Sequence, residues 1–195
     1  MSVLYLIRHG KTAANEQHRY CGSTDLPLST RGREELAATH YAVSGVRFLT
    51  SGMLRTEQTL EILFGPVPHE IRPEFREIDF GEFEMHTYEE LKDDPRYLSW
   101  ITGDNERNVP PSGESGEAMR CRVMKGLVTL LQEDRDTVLI THGGVIAAIM
   151  ESLFPQEGKN RYQWQPEPGC GYCLEGKGWS VLPQAEGKTK KSNIL

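Results

Sequence analysis

Apolar residues in this chain fall into short, nearly unbroken runs set between longer stretches of mixed polarity. The first run covers residues 3–8, and its lack of polar alternation predicts a strand buried on both faces of a sheet. Residues 46–50 and Thr137–Thr141 repeat the pattern, and 69–71, 171–174 and 179–182 carry weaker strand signals. Helical spacing fills the intervals. Ser29 or Thr30 caps a helix reaching about residue 42, with Leu36 and Tyr41 facing the core. Residues 54–63, 87–92, 96–101 and 145–153 read as further helices. Ser115 caps a long amphipathic helix to about Gln132, whose apolar stripe is Met119, Val123, Leu127, Leu130 and Leu131. Strands alternating with helices predict a largely parallel α/β sandwich in one domain, residues 1–183. The polar, lysine-rich residues 184–195 read as a disordered tail.

Three of the apolar runs end on chemistry. The first stops at Arg8-His9-Gly10, the run at Thr137–Thr141 stops at His142-Gly143-Gly144, and 46–50 leads into Ser51-Gly-Met-Leu-Arg55-Thr56-Glu-Gln58-Thr59. Ligands of open α/β sheets bind at the carboxyl ends of strands, so two histidines and two arginines converge on a functional edge. Residues 9–30, which include Gly22, Asp25 and Pro27, form a connection of the length that usually serves a function.

Taken together, these segments resemble the histidine phosphatase, or phosphoglycerate mutase-like, superfamily. The resemblance is carried by Leu6-Ile-Arg8-His9-Gly10-Lys-Thr12, Gly22-Ser-Thr-Asp25-Leu-Pro27-Leu-Ser29, residues 51–59, Glu77-Ile-Asp-Phe80-Gly81, Gly113-Glu114-Ser115 and Thr141-His142-Gly143-Gly144. They stand in the family's order and reach about residue 182. The resemblance implies a three-layer α/β/α sandwich around a mostly parallel sheet. It also implies hydrolysis of a phosphomonoester on a small metabolite, with no metal and no cofactor. By that resemblance His9 is the nucleophile and becomes a phosphohistidine, and His142 steadies the phosphoryl group. Glu77 protonates the leaving group and then activates water.

The residue types suit these tasks. The planar guanidinium groups of Arg8 and Arg55 can make bidentate, charge-assisted bonds to phosphate. Asn15 can donate from its amide, and the helix start at Gly143 offers backbone N–H groups to an anion. The turn containing Cys21, Gly22 and Ser23 supplies further substrate contacts. Three assignments have plainer alternatives. Glu77 lies among Glu74, Asp79, Glu82 and Glu84; Asn15 could be a turn residue; and Gly113-Glu114-Ser115 could cap a helix or touch substrate.

Within the family the short chain looks like the α-ribazole phosphatase and broad-specificity phosphatase branch. No Lys or Arg follows Glu77 until Lys92, so a carboxylate-bearing phosphoglycerate would be poorly received. A mutase and a catalytically silent phosphate-binding protein remain the alternatives. One departure is Met85-His86, where many relatives have glycine, which leaves the shape of the pocket lid open.

Composition adds exclusions. A net charge of −6 over 195 residues gives no global attraction to nucleic acid or membranes. No apolar run approaches the roughly 20 residues that span a bilayer, and no signal peptide is evident, so a cytoplasmic protein is expected. The four cysteines show no disulfide framework. Cys170-Gly-Tyr-Cys173 has metal or redox spacing without companion ligands and reads as structural. Oligomeric state does not follow from the sequence, and a homodimer is left open.

Overall fold

The computed structural model describes residues 2–104 and 106–183. The tail expected to be disordered, 184–195, lies outside the described residues. Six strands form one sheet: β1 (Leu4–Arg8), β2 (Arg47–Thr50), β3 (His69–Ile71), β4 (Thr137–Thr141), β5 (Gly171–Glu175) and β6 (Gly178–Leu182). Their spatial order is β3-β2-β4-β1-β5-β6. The first four are mutually parallel, while β5 pairs antiparallel with β1 and β6 with β5. The sheet is thus mixed, with a parallel centre as expected.

Every residue of β4 is buried, which is what a continuous Thr-Val-Leu-Ile-Thr run achieves when helices cover both sheet faces. On one face α6 (Gly116–Gln132) and α7 (Gly143–Leu153) bury Met119, Val123, Leu127, Val145 and Ile149 against Leu6, Leu49 and Leu139. On the other, Leu60 of α3 (Leu54–Phe64) packs with Ile7, Val138 and Ile140, and α2 (Thr30–Ala37) lies against α3. A third cluster of Phe83, Leu91 and Tyr97, joined by Tyr20, Phe80 and Trp100, stands apart from the sheet. It is built around α4 (Tyr88–Leu91) and α5 (Pro95–Ile101).

Several expectations need correction. Helix α2 stops at Ala37 rather than near residue 42, because Thr39 closes the last turn. Its hydroxyl donates to Glu35 O and its N–H to Leu36 O. Tyr41 therefore lies outside the helix, though its ring still packs against the second core cluster. Leu131 is 45 % exposed: it sits one position past Leu130, about 100° round the helix, and leaves the 119–123–127–130 stripe. The long connection at 9–30 contains a single helical turn, α1 (Ala13–Glu16), closed by a capping box between Thr12 and Asn15. Among the described residues no helix is long and apolar enough to cross a membrane.

Candidate active site

Strand register brings the candidate residues together. Arg8 pairs with Thr141 across β1 and β4, and Thr50 pairs with Ile140 across β2 and β4. The residues that follow, His9, His142 and Ser51, therefore leave three adjacent strands at one edge. The rings of His9 and His142 lie edge to face with centroids 5.2 Å apart.

The hydrogen bonds fix both histidine tautomers. His9 Nδ1 lies 2.7 Å from Gly10 O. A carbonyl only accepts, so Nδ1 carries the proton and Nε2 keeps its lone pair. Arg55 Nε donates to His142 Nδ1 at 3.3 Å. A guanidinium only donates, so His142 holds its proton on Nε2 and gives it to Ser51 Oγ at 2.8 Å. Ser51 passes its own proton to Thr56 Oγ1, which donates to Met53 O. Burial, then the positive charges of Arg55 and Arg8, hold the His9 imidazole well below its ordinary pKa of 6.5, partly opposed by the Gly10 bond. Burial and Arg55 do the same to His142. Both rings are neutral at pH 7.

The two arginines are anchored yet retain donors. Arg55 is 1 % exposed. Its Nη2 donates to Gly22 O at 2.7 Å and its Nη1 to Thr24 O at 2.9 Å, so one hydrogen on each Nη stays free. Arg8 Nη1 donates to Pro166 O, while its buried Nε has no partner among the described residues. A buried donor left unpaired costs about 1–3 kcal/mol, and an anion beside Arg8 would remove that penalty.

Glu77 completes the group. Its Oε2 accepts from Gly144 N at 2.9 Å, and its Oε1 accepts from Ile78 N at 3.0 Å. Of the amides expected to meet an anion at this helix start, the second one of α7, Gly144 N, serves Glu77. Gly144 lets the carboxylate approach this closely, since a Cβ there would lie 2.4 Å from Glu77 Oε1 and would displace it.

The sequence profile of the histidine phosphatase superfamily (branch 1) matches residues 4–182. The chain belongs to this superfamily. The adenosylcobalamin/alpha-ribazole phosphatase of Escherichia coli (strain K12) is 30% identical over 181 residues, covering 88% of this chain and 89% of the relative. A probable phosphoglycerate mutase GpmB from Enterobacter sp. (strain 638) is 27% identical over 161 residues, 78% of this chain and 75% of the relative. Among solved structures, an α-ribazole-5′-P phosphatase candidate from E. coli K-12 superposes with a TM-score of 0.80 at 26% identity, covering 92% of this chain and 94% of the other. A phosphoglycerate mutase from Thermus thermophilus gives 0.72 at 33% identity, covering 89% and 92%.

In this histidine phosphatase the five neighbouring carboxylates separate by what they touch. Glu77 lines the cleft. Glu74 packs on Gly126, Glu82 pairs with Arg96, and Asp79 accepts from Ser23 Oγ and Gly81 N. Glu84 receives backbone amides of residues 22–24. Asn15 closes the α1 capping box through its Oδ1, as the turn reading expects, and the residue also lines the cleft. The 113–115 segment serves as a cap, with Ser115 accepting from Ala118 N and Glu114 paired to Arg122.

The remaining predicted contacts divide. Cys21 lines the cleft, and burial pushes its thiol pKa up despite Arg55, so it is no thiolate. Gly22 is not free for substrate, because its N–H serves Glu84 and its carbonyl serves Arg55. Ser23 is exposed and bonded to Asp79, away from the cleft lining. Gly143 is buried with Gln165 packed on its Cα.

The cleft has a volume of about 420 Å³. Beyond Arg8 and Glu77 its walls are Tyr20, Phe80, Trp100, Ile101 and Met119, with Arg19 and Arg161 at its polar parts. Those two arginines bring to the cleft cations that the stretch between Glu77 and Lys92 does not supply. Sequence proximity to Glu77 could not reveal residues 19 and 161. Each is already paired, Arg19 with Glu90 and Arg161 with Glu106. The lid departure also has a physical form: Met85 adopts φ +62°, a left-handed conformation that favours glycine. It is held there by Met85 N donating to Tyr20 O and Arg19 Nη1 donating to Met85 O.

Proposed function

We propose that this histidine phosphatase hydrolyses a phosphomonoester on a small metabolite through a phosphohistidine on His9. The observation that carries the reading is the His9 tautomer: Nδ1–H donates to Gly10 O, leaving a buried neutral ring whose Nε2 keeps its lone pair, within the electrostatic reach of Arg55 and Arg8.

His9 Nε2 attacks phosphorus, the bond from phosphorus to the ester oxygen breaks, and protonated Glu77 gives its proton to that oxygen. The Nδ1–H bond to Gly10 O then stabilises the positive charge on the phosphorylated ring. In the second half, carboxylate Glu77 takes a proton from water, which attacks phosphorus. The phosphorus–nitrogen bond breaks, inorganic phosphate forms, and Glu77 is again protonated. Covalent catalysis of this kind splits one difficult step into two easier ones. Arg8 and Arg55 supply the charge that the phosphoryl oxygens require.

The aromatic wall of Tyr20, Phe80 and Trp100 suits a leaving group with a flat apolar part. An α-ribazole-type ester, as named for the E. coli relative, has that character. The pair Arg19 and Arg161, together with relatives named as mutases, keeps transfer to a second hydroxyl as the competing reading.

Phosphate release from a panel of esters in EDTA tests this. The panel holds p-nitrophenyl phosphate, α-ribazole phosphate, nucleoside monophosphates, sugar phosphates and 3-phosphoglycerate. The expected result is EDTA-resistant release, fastest for aromatic leaving groups and abolished in His9→Ala. Isomerised phosphoglycerate without phosphate release would favour the mutase, and release unchanged in His9→Ala would remove His9 from the mechanism.

A further inference from the structure

Glu84 differs from the other carboxylates near the cleft in what it holds. Its Oε1 accepts from Gly22 N and Ser23 N, both at 2.9 Å, and from Phe80 N at 3.1 Å. Its Oε2 accepts from Thr24 N at 3.3 Å and from Thr24 Oγ1 at 2.7 Å. Three consecutive amides therefore converge on one anion.

The carbonyls of the same segment serve a cation. Gly22 O and Thr24 O accept from Arg55 Nη2 and Nη1, and the third anchored donor of Arg55 meets His142. One short stretch of backbone thus has an anion on its amide side and a cation on its carbonyl side. It has little freedom elsewhere, because a Cβ on Gly22 would lie 1.6 Å from Ile78 O. Glu84 in turn is set by its neighbours: Phe83 is wholly buried in the third cluster, and Met85 N donates to Tyr20 O.

We propose that Glu84 is a positioning residue for Arg55, acting through the backbone of residues 22–24 to aim the guanidinium at the phosphoryl group. The inference rests on the reading of Arg55 as a phosphoryl ligand. Removing the carboxylate leaves the 22–24 amides without their acceptor. The segment then shifts, and Arg55 loses the fixed geometry of two of its three anchors. A displacement of about 1 Å at a catalytic group costs on the order of 10²-fold in rate.

A double-mutant cycle on p-nitrophenyl phosphate hydrolysis, with inorganic phosphate as competitive inhibitor, tests this. Glu84→Ala is expected to lower kcat/KM by about 10²-fold and to raise the phosphate inhibition constant with it. Glu84→Gln should fall between, because its one oxygen can keep the bonds now made by Oε1. In an Arg55→Ala background, Glu84→Ala should cost less than about threefold, since the residue it acts through is gone. Equal losses in both backgrounds, or a Glu84→Ala enzyme as active as wild type, would overturn the proposal. If Glu84→Ala does not fold, Glu84→Gln carries the same comparison. An Arg55→Ala enzyme of full activity would remove the phosphoryl-ligand reading itself, and the positioning role with it.

Discussion

A histidine can attack phosphorus only while one ring nitrogen keeps its lone pair, and two features of its surroundings secure that for His9. The Gly10 carbonyl selects the tautomer, and burial beside Arg55 and Arg8 disfavours the imidazolium. The same burial has a consequence for stability. The folded pKa values of His9 and His142 lie below 6.5, so in acid the unfolded chain binds protons that the folded chain refuses. Unfolding free energy should therefore fall as pH drops from about 6.5 toward the folded values. The slope is up to about 1.4 kcal/mol per pH unit for each histidine. The dependence is about half its full slope near pH 6.5 and fades by about pH 7.5, where the unfolded histidines are neutral as well. Urea melts between about pH 7.5 and 5.5 check this: the slope should flatten in His9→Asn, and an unchanged slope would contradict it. At this scale the sequence made Arg8, His9, Arg55 and His142 legible, because each ends or follows an apolar run. In the sequence Ser51 and Thr56 stand out only as part of a motif, since a hydroxyl's role as relay depends on which nitrogen of His142 faces it.

Among the elements, α7 bears most directly on the proposed acid, because its second residue presents an amide to Glu77 and brings its backbone close against the carboxylate. Gly144→Ala should push the carboxylate aside. The expected loss in kcat is about 10²–10⁴-fold, with little change in the inhibition constant for phosphate, because Arg8 and Arg55 are untouched. Helix stability should not suffer, since Ala favours a helix interior over Gly by roughly 0.5–1 kcal/mol. Steady-state kinetics with thermal melts check both, and an unchanged kcat would argue against Glu77 as the acid. The strands were readable because Leu4–Arg8 and Thr137–Thr141 are nearly unbroken apolar runs. The end of α2 was not, because the Thr39 bonds that stop it compete locally with a helical pattern that continues on paper. The turn α1 was hidden for a similar reason, its capping box closing over only four residues.

For the whole molecule, an acidic chain of net charge −6 sets the guanidinium groups of Arg8 and Arg55 beside the histidines at one sheet edge. Local field rather than overall charge must draw in a phosphorylated substrate. The sheet centre fixes that edge through the Arg8–Thr141 and Thr50–Ile140 pairings, and a separate aromatic cluster walls the space beyond it. The first arrangement could be inferred from strand ends. The second could not, because Tyr20, Phe80 and Trp100 are 80 positions apart at their extremes and meet only in the fold. The proposed mechanism puts a covalent bond on one nitrogen, His9 Nε2. The most direct measurement is rapid quenching of the enzyme with p-nitrophenyl phosphate, followed by peptide mapping under alkaline conditions that preserve phosphohistidine. The account predicts a transient phosphoryl group on the peptide carrying His9 that is absent from His9→Ala. A phosphoryl group on His142 or on any other residue, or full turnover with no phosphoenzyme at any time, would contradict it.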